Sequence, residues 1–184
     1  MRAHLVAAAG ALSAWCAVAD AAPAVAEARY DGPRLAFTIP TGTQVKDATD
    51  VAADYALELL PPGDPKVKQS TLRLLLSNNR VVDVDVEGVA SAWRDARLRN
   101  RASWGVHKRE KDADRSEITH VGSRRFVRFT DQMGSVLGAQ RQIMLCGSIS
   151  ARLVCAVMSG QQANERAAEA VMLRVLETLT VKKR

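Results

Sequence analysis

Two cysteines in the second half of the chain are the residues whose spacing best suits a defined chemistry. Cys146 and Cys155 lie symmetrically about residues 150–151, so a hairpin that turns there would place them opposite each other on neighbouring strands. Their β-carbons would then be close enough for a disulfide bond. A turn at residues 147–148 would change the register and prevent this pairing. The spacing therefore favours a structural disulfide, and the alternative register stays open.

Two histidines, His107 and His120, could act as general bases or as metal ligands. A histidine beside a cysteine thiolate would give a nucleophilic site, but no local pattern indicates a stabilised thiolate. Neither histidine has a second ligand at metal-binding spacing, since HExxH and CxxC motifs are absent. The GxSxG and GxxxxGK[ST] patterns are also absent. We therefore predict no catalytic, cofactor-binding or metal-binding residue.

Positive charge is concentrated in the middle of the chain. Residues 94–128 hold eleven Lys or Arg against five acidic residues, and the whole sequence has a formal net charge of +6. Such a segment is commonly a solvated face that keeps a protein soluble. Alternatively, it contacts an anionic lipid headgroup, an acidic envelope polymer or an acidic protein. Nucleic acid is not expected, because no stacking-aromatic motif accompanies the charge. The candidate contact residues are Arg94, Arg97, Arg101, Lys108, Arg109, Arg124, Arg125 and Arg128.

The N-terminal residues have the pattern of an export signal. A single arginine precedes an apolar run over residues 5–18, which small residues at Ala19 and Ala21 close. The run is too short to span about 30 Å of hydrocarbon as a helix. We predict a signal peptide over residues 1–21, with cleavage after Ala26 as an alternative. The mature protein is then periplasmic or extracellular.

Cys16 raises the alternative of a lipoprotein, whose acylated cysteine follows small residues. The bulky Trp15 directly before it argues against that recognition site, so we expect Cys16 to be removed with the signal peptide. Cys146 and Cys155 then remain. An even number of cysteines in an exported protein favours a disulfide, because the compartment is oxidising.

The remaining chain has the length of one domain. Residues 22–33 are rich in Ala and Pro and predict a flexible leader, with a single domain over 34–184. Alternating or apolar runs predict strands, and apolar spacing of three to four residues predicts two helices. The expected strands cover 35–40, 54–60, 70–77, 103–109, 116–121, 124–130, 139–146 and 150–158, and the expected helices cover 85–99 and 164–178.

This order predicts an α+β fold. Short connections favour an antiparallel sheet, because parallel pairing requires long crossovers. One central and one C-terminal helix would pack against the sheet, and we expect one face of the sheet to be buried against both.

Four local patterns accompany this order of elements. A strand ends in Phe-Thr-Ile-Pro-Thr-Gly at 37–42, a central helix follows the leading strands, paired strands surround 125–129 and 142–145, and the closing helix ends at 176–181. Together they resemble the PsbP-like superfamily, which includes bacterial DcrB-type envelope proteins. The resemblance covers residues 33–181 and implies an accessory, assembly or binding protein without a shared catalytic motif.

These observations predict a non-enzymatic exported binding or accessory protein of the bacterial cell envelope. Its partner would be a protein or an anionic envelope component. A periplasmic immunity-type inhibitor of a toxin is an alternative, because such proteins are also small, exported and disulfide-bonded. A small hydrolase is a further alternative and would require a cleft that brings a histidine beside an acid or a thiol.

Overall fold

The computed structural model describes residues 26–50, 53–61, 70–102, 116–133, 140–160 and 165–183. The signal peptide expected over 1–21 and the strand expected over 103–109 lie outside the described residues. Within the described ranges, none of the helices combines the length and the apolarity needed to cross a membrane. The strands are β1 (Glu27–Asp31), β2 (Leu35–Pro40), β3 (Gln44–Ala48), β4 (Tyr55–Leu60), β5 (Thr71–Arg80), β6 (Glu117–Val121), β7 (Arg124–Met133), β8 (Gln140–Ile149), β9 (Arg152–Gly160) and β10 (Thr180–Val181), and the helices are α1 (Val86–Ala102) and α2 (Glu165–Thr178).

The strands form a large and a small antiparallel sheet. The large sheet has the order β3-β4-β5-β9-β8-β7-β6, and the small one has the order β1-β2-β10. Neighbouring strands along the chain pair through short connections, as in the β8–β9 hairpin. The predicted α+β class, with two helices packed against antiparallel strands, is confirmed.

The large sheet is apolar on both faces at its centre. On β5, Leu74 and Leu76 contribute to the core on one face, and Leu75 between them contributes to the core on the other. Helix α2 packs on the Leu74 face and α1 on the Leu75 face. The expectation that one face would be buried against both helices is therefore wrong, because a strand with consecutive buried leucines requires cover on both sides.

The small sheet includes residues that the sequence placed in the flexible leader. Strand β1 pairs along its whole length with β2, with Tyr30 opposite Phe37. The two aromatic rings are stacked, with their centroids 4.8 Å apart. Strand β1 is otherwise exposed, so it has no buried apolar pattern that the sequence could reveal. Main-chain pairing and one aromatic contact position this strand.

The β8–β9 hairpin turns at Ser150 and Ala151, as one of the two registers predicted. Both residues have positive φ angles, 54° and 57°, as the two central residues of a type I′ turn require. The register places Cys146 opposite Cys155, and their sulfur atoms form a disulfide. Both cysteines are fully buried in the core under α1. The predicted disulfide is confirmed, and its sulfurs are not free to act as a nucleophile.

Replacing both cysteines, in Cys146→Ala/Cys155→Ala, should lower the free energy of unfolding by about 2–3 kcal/mol, because the crosslink restricts the unfolded chain. Urea denaturation of the oxidised protein and of the variant measures this difference. Reductant added to the native protein should react slowly, because the bond is buried. Equal unfolding midpoints for the two proteins would show that the disulfide does not contribute to stability.

Tyr55 lies where β4 approaches the small sheet. Burial, the neighbouring Tyr30 hydroxyl and the Asp47 carboxylate raise the pKa of Tyr55 above its ordinary value of 10.0, while Arg34 acts in the opposite direction. The Tyr55 hydroxyl oxygen is shielded from solvent. Its ionised form is therefore disfavoured in the folded state.

Stability should consequently fall as the pH rises above 10. The unfolded chain then loses the Tyr55 proton while the folded protein keeps it, so unfolding is favoured. Urea midpoints recorded from about pH 9 to about pH 11.5 should decline less in Tyr55→Phe than in the wild type. Parallel declines in the two proteins would show that other groups control the alkaline transition.

Candidate functional site

The basic residues expected to form one contact surface have different structural roles. Arg94 is only 4% exposed. Its guanidinium makes a bidentate ion pair with Asp131 on β7, in which Nε lies 3.1 Å from Oδ2. The guanidinium carbon also lies 5.3 Å from the centroid of the Phe129 ring. Arg94 thus attaches α1 to the large sheet and is not presented to a partner.

The ion pair belongs to a buried polar row that crosses the sheet. Asp131 lies opposite Gln142 on β8, and Gln142 lies opposite Ser159 on β9. The Ser159 hydroxyl donates a long hydrogen bond of 3.5 Å to the Gln142 side chain. Asp131 and Gln142 are both buried. The row lies two residues along each strand from Phe129, Met144 and Val157, which belong to the core under α1.

Arg124 and Arg128 lie on the opposite face of β7, beside α2. The Arg124 guanidinium donates to the carbonyl oxygens of Leu176 and Leu179, at 2.9 and 2.8 Å. These contacts satisfy carbonyl groups at the C-terminal end of α2, where a positive charge is favourable. Arg128 forms an ion pair with Glu169. Both arginines therefore hold α2 against the sheet.

Arg125 points to the α1 face, since side chains alternate along a strand. Its guanidinium donates to the carbonyl oxygen of Asp83 at 2.9 Å. The structure thus separates Arg124 and Arg128 from Arg125, and it buries Arg94, so these four residues do not form the single surface that the sequence suggested. The side chains of the other four candidates lie outside the described residues: Arg97, Arg101, Lys108 and Arg109.

The exposed feature that best fits a binding site lies at the start of α1. Val82, Val84 and Val89 are 56%, 83% and 39% exposed, and they are three of the four exposed large apolar residues in the described ranges. We call these three residues the valine surface. A groove with a volume of about 470 Å³ lies beside it. The groove is lined by Arg80, Val81, Val84, Asp85, Gly88 and Val89.

The backbone before α1 is fixed by the β8–β9 hairpin. The Val81 amide donates to the carbonyl oxygen of Ala151 at 3.1 Å. The Ser148 hydroxyl donates to the Val81 carbonyl oxygen at 2.7 Å. A 3₁₀ turn over Asp83–Asp85 then leads into α1, whose Val86 and Ala90 are buried. Helical geometry therefore directs Val89 outward, while Val86 and Ala90 pack inward.

Charged groups surround the valine surface. Asp83, Asp85 and Glu87 are exposed, and Glu87 accepts a hydrogen bond from the Ser116 hydroxyl. Arg80 lines the groove. An exposed apolar patch with a charged rim is typical of a protein interaction site. Sequence patterns did not reveal this surface, because Val82 and Val84 are aliphatic residues that precede α1 and resemble core residues in sequence.

No protein-family model matches this sequence, and no curated protein sequence matches it either. Among solved structures, the chain is similar to the cyanobacterial PsbP protein (CyanoP) of Synechocystis, with 13% identity and a TM-score of 0.58 over 86% of this chain and 94% of that one. The PsbP-like resemblance is thereby confirmed at the level of the fold.

Two further structures show weaker similarity. LpqN of Mycobacterium tuberculosis, described as involved in cell envelope biogenesis, has 11% identity and a TM-score of 0.48 over 86% of this chain and 91% of its own. A Bacteroides thetaiotaomicron protein has 10% identity and a TM-score of 0.49 over 82% of this chain. This chain spans about half of the Bacteroides protein, 46% of its length.

The ion pair of Arg94 and Asp131 gives a direct test of how α1 is attached. Asp131→Ala removes the carboxylate from a buried ion pair and should cost about 3–5 kcal/mol of unfolding free energy. Replacing both partners by apolar residues, in Arg94→Met/Asp131→Leu, should restore most of that loss. Urea denaturation measures both effects.

The more exposed ion pair of Arg73 and Glu58 supplies the matched control. Glu58→Ala should cost less than about 1 kcal/mol, because solvent screens that pair. If Asp131→Ala cost no more than Glu58→Ala, the buried pair would not be the attachment of α1.

Proposed function

We propose that this protein is an exported, non-enzymatic accessory protein of the bacterial cell envelope that binds a partner protein through the valine surface. The observation that carries the proposal is the exposure of Val82, Val84 and Val89 beside a groove on an otherwise well-packed fold. Burial of these side chains by a partner would recover the free energy that their exposure costs, at about 25 cal/mol per Å² of apolar area.

The composition of the groove supports a contact surface. The exposed Val84 and Val89 offer apolar area, and Arg80 and Asp85, which also line the groove, offer polar contacts. An apolar centre with a polar rim is the usual organisation of a protein–protein interface. This arrangement suits recognition of a partner more directly than it suits acid–base or nucleophilic chemistry.

The disulfide supports the export part of the proposal. Cys146 and Cys155 are joined and fully buried in the core under α1. Stable structural disulfides form in oxidising compartments such as the periplasm and are uncommon in the cytosol of mesophiles. The signal peptide predicted for residues 1–21 would provide the route of export.

The charges near the valine surface indicate the chemistry of the partner. Asp83, Asp85 and Glu87 place three exposed carboxylates within five residues. Complementary charge favours correct encounters and suppresses wrong ones. We therefore infer a partner segment whose aliphatic residues are flanked by Lys or Arg.

Val84→Asp tests this proposal, because Val84 is exposed and its replacement should not disturb the core. The tagged protein is used to capture partners from a periplasmic extract, and bound proteins are identified by mass spectrometry. We expect one stoichiometric partner with the wild type and at least about a tenfold loss with Val84→Asp, the effect of an interface hot spot.

Ala170→Asp is the matched control, since Ala170 is an exposed apolar residue on α2, which covers the opposite face of the large sheet from α1. It should retain the partner. Equal capture by Val84→Asp and the wild type would contradict the assigned surface. Absence of the protein from the periplasmic and secreted fractions would contradict export.

A further inference from the structure

Three arginines from distant parts of the sequence lie near the end of β5, and two of them are hydrogen-bonded to Asn78. The Arg34 Nη2 atom donates to Asn78 Oδ1 at 2.8 Å. The Arg152 guanidinium donates to the Asn78 carbonyl oxygen. Arg80 is the directly paired residue of Arg152 across β5 and β9. We call Arg34, Arg80 and Arg152 the arginine cluster.

The arginine cluster brings together positive charges that repel one another. Like charges on directly opposed residues of neighbouring strands are destabilising, as for Arg80 and Arg152. Within the described part of the chain, no carboxylate forms an ion pair with any member of the cluster. Two carboxylates lie near the cluster: Asp54 accepts a hydrogen bond from the Asn78 amide at 2.7 Å, and Asp85 lines the same groove as Arg80.

Unused hydrogen-bond donors are also present. The Arg34 Nε atom is shielded from solvent and has no hydrogen-bond partner within the described residues. Arg80 is exposed and forms none of the side-chain hydrogen bonds found in these ranges. Each guanidinium has five N–H donors in a planar fork, a geometry that matches phosphate and carboxylate oxygens. The cluster therefore has both the charge and the donors for an oxyanion.

We infer that the arginine cluster binds a phosphate group. Phosphate has more charge and more acceptor oxygens than a carboxylate, so it can contact guanidinium groups from three directions. Asp54 near Asn78 and Asp85 near Arg80 together reduce the local charge by two units, and three arginines still leave an excess of positive charge. The phosphate comes either from inorganic phosphate or from a phospholipid headgroup, because both offer the same anionic oxygens. This site is separate from the partner surface proposed above, although Arg80 lines the neighbouring groove.

Thermal unfolding of the full protein with inorganic phosphate tests the inference, with chloride at equal ionic strength as the reference. Phosphate is used at a few millimolar, where its general exclusion from the protein surface has little effect. A ligand that binds only the folded state raises the unfolding temperature, whereas screening of repulsion acts equally with either salt. We expect a larger rise with phosphate than with chloride. Equal rises would mean screening alone and would overturn the inference.

Arg80→Gln is the main variant, because Arg80 is exposed. It should weaken phosphate binding by about tenfold or more, the loss of one charge-assisted contact. Without phosphate it should be as stable as the wild type or more stable, because the repulsion with Arg152 is removed. Arg152→Lys keeps the charge but loses the fork, and it should also weaken phosphate binding.

Arg166→Gln is the matched control. Arg166 is an exposed arginine at the start of α2. Helix α2 follows the C-terminal end of β9, whereas Arg152 is at its N-terminal end. It should respond to phosphate like the wild type, and an equal loss in this variant would overturn the inference. Val84→Ser, which removes apolar area without adding charge beside Arg80, should keep the phosphate response, so failure of the partner surface and failure of the phosphate site are distinguishable.

Vesicles identify the source of the phosphate. The protein is sedimented with phosphatidylglycerol vesicles and, separately, with phosphatidylcholine vesicles. Binding to phosphatidylglycerol that Arg80→Gln loses and Arg166→Gln keeps would support the inference and assign it to a lipid headgroup. Stabilisation by inorganic phosphate without vesicle binding would support it and assign a soluble phosphate.

Discussion

The apolar character of both faces at the centre of the large sheet is the constraint on which the rest of the structure depends. Strand β9 is buried over six consecutive residues, 153–158, and β8 is buried over 142–147. A strand of this kind cannot leave one face in water. The chain must therefore cover both faces, and it uses α2 with the small sheet on one side and α1 on the other. The disulfide lies inside this double core, where it connects the two central strands.

The helices that cover the two faces of the large sheet, α2 and α1, are attached to it by different polar contacts. On the α2 side, Arg124 bonds to carbonyl oxygens at the end of the helix and Arg128 pairs with a helix carboxylate. On the α1 side, Arg94 is buried against Asp131 and the Phe129 ring. A buried ion pair is costly to desolvate and orients its partners strictly. The attachment of α1 therefore includes a specific buried ion pair as well as apolar packing.

The sequence predicted much of the fold, because alternation and helical spacing directly reflect which side chains are buried. The β8–β9 hairpin and its disulfide followed from counting residues between two cysteines. The covering of both faces did not follow, although Leu74, Leu75 and Leu76 are consecutive, since a short apolar run is also compatible with one-sided burial. Strand β1 was hidden because its exposed side chains show no apolar pattern.

The candidate sites were harder to predict than the fold for a different physical reason. A run of basic residues shows how much positive charge a segment has, but not where the side chains point. Side chains alternate along β7, so its arginines lie on two faces of the sheet. Arg94 is buried in an ion pair with Asp131. The arginine cluster shows the converse. Arg34, Arg80 and Arg152 are isolated in sequence, and only the pairing of β5 with β9 and the contact of Arg34 with Asn78 bring them together.

Both candidate surfaces lie beside the end of β5, where hydrogen bonds fix the backbone. The Val81 amide is bonded to the β8–β9 hairpin and the Val81 carbonyl to Ser148, so the chain leaves the sheet in one fixed direction before α1 begins. Arg80 is the last residue of β5, and the valine surface begins two residues later. Side chains on such a fixed segment lose little conformational freedom when they bind, which lowers the cost of association. The same hairpin contacts that close the double core thus hold the exposed groups in place.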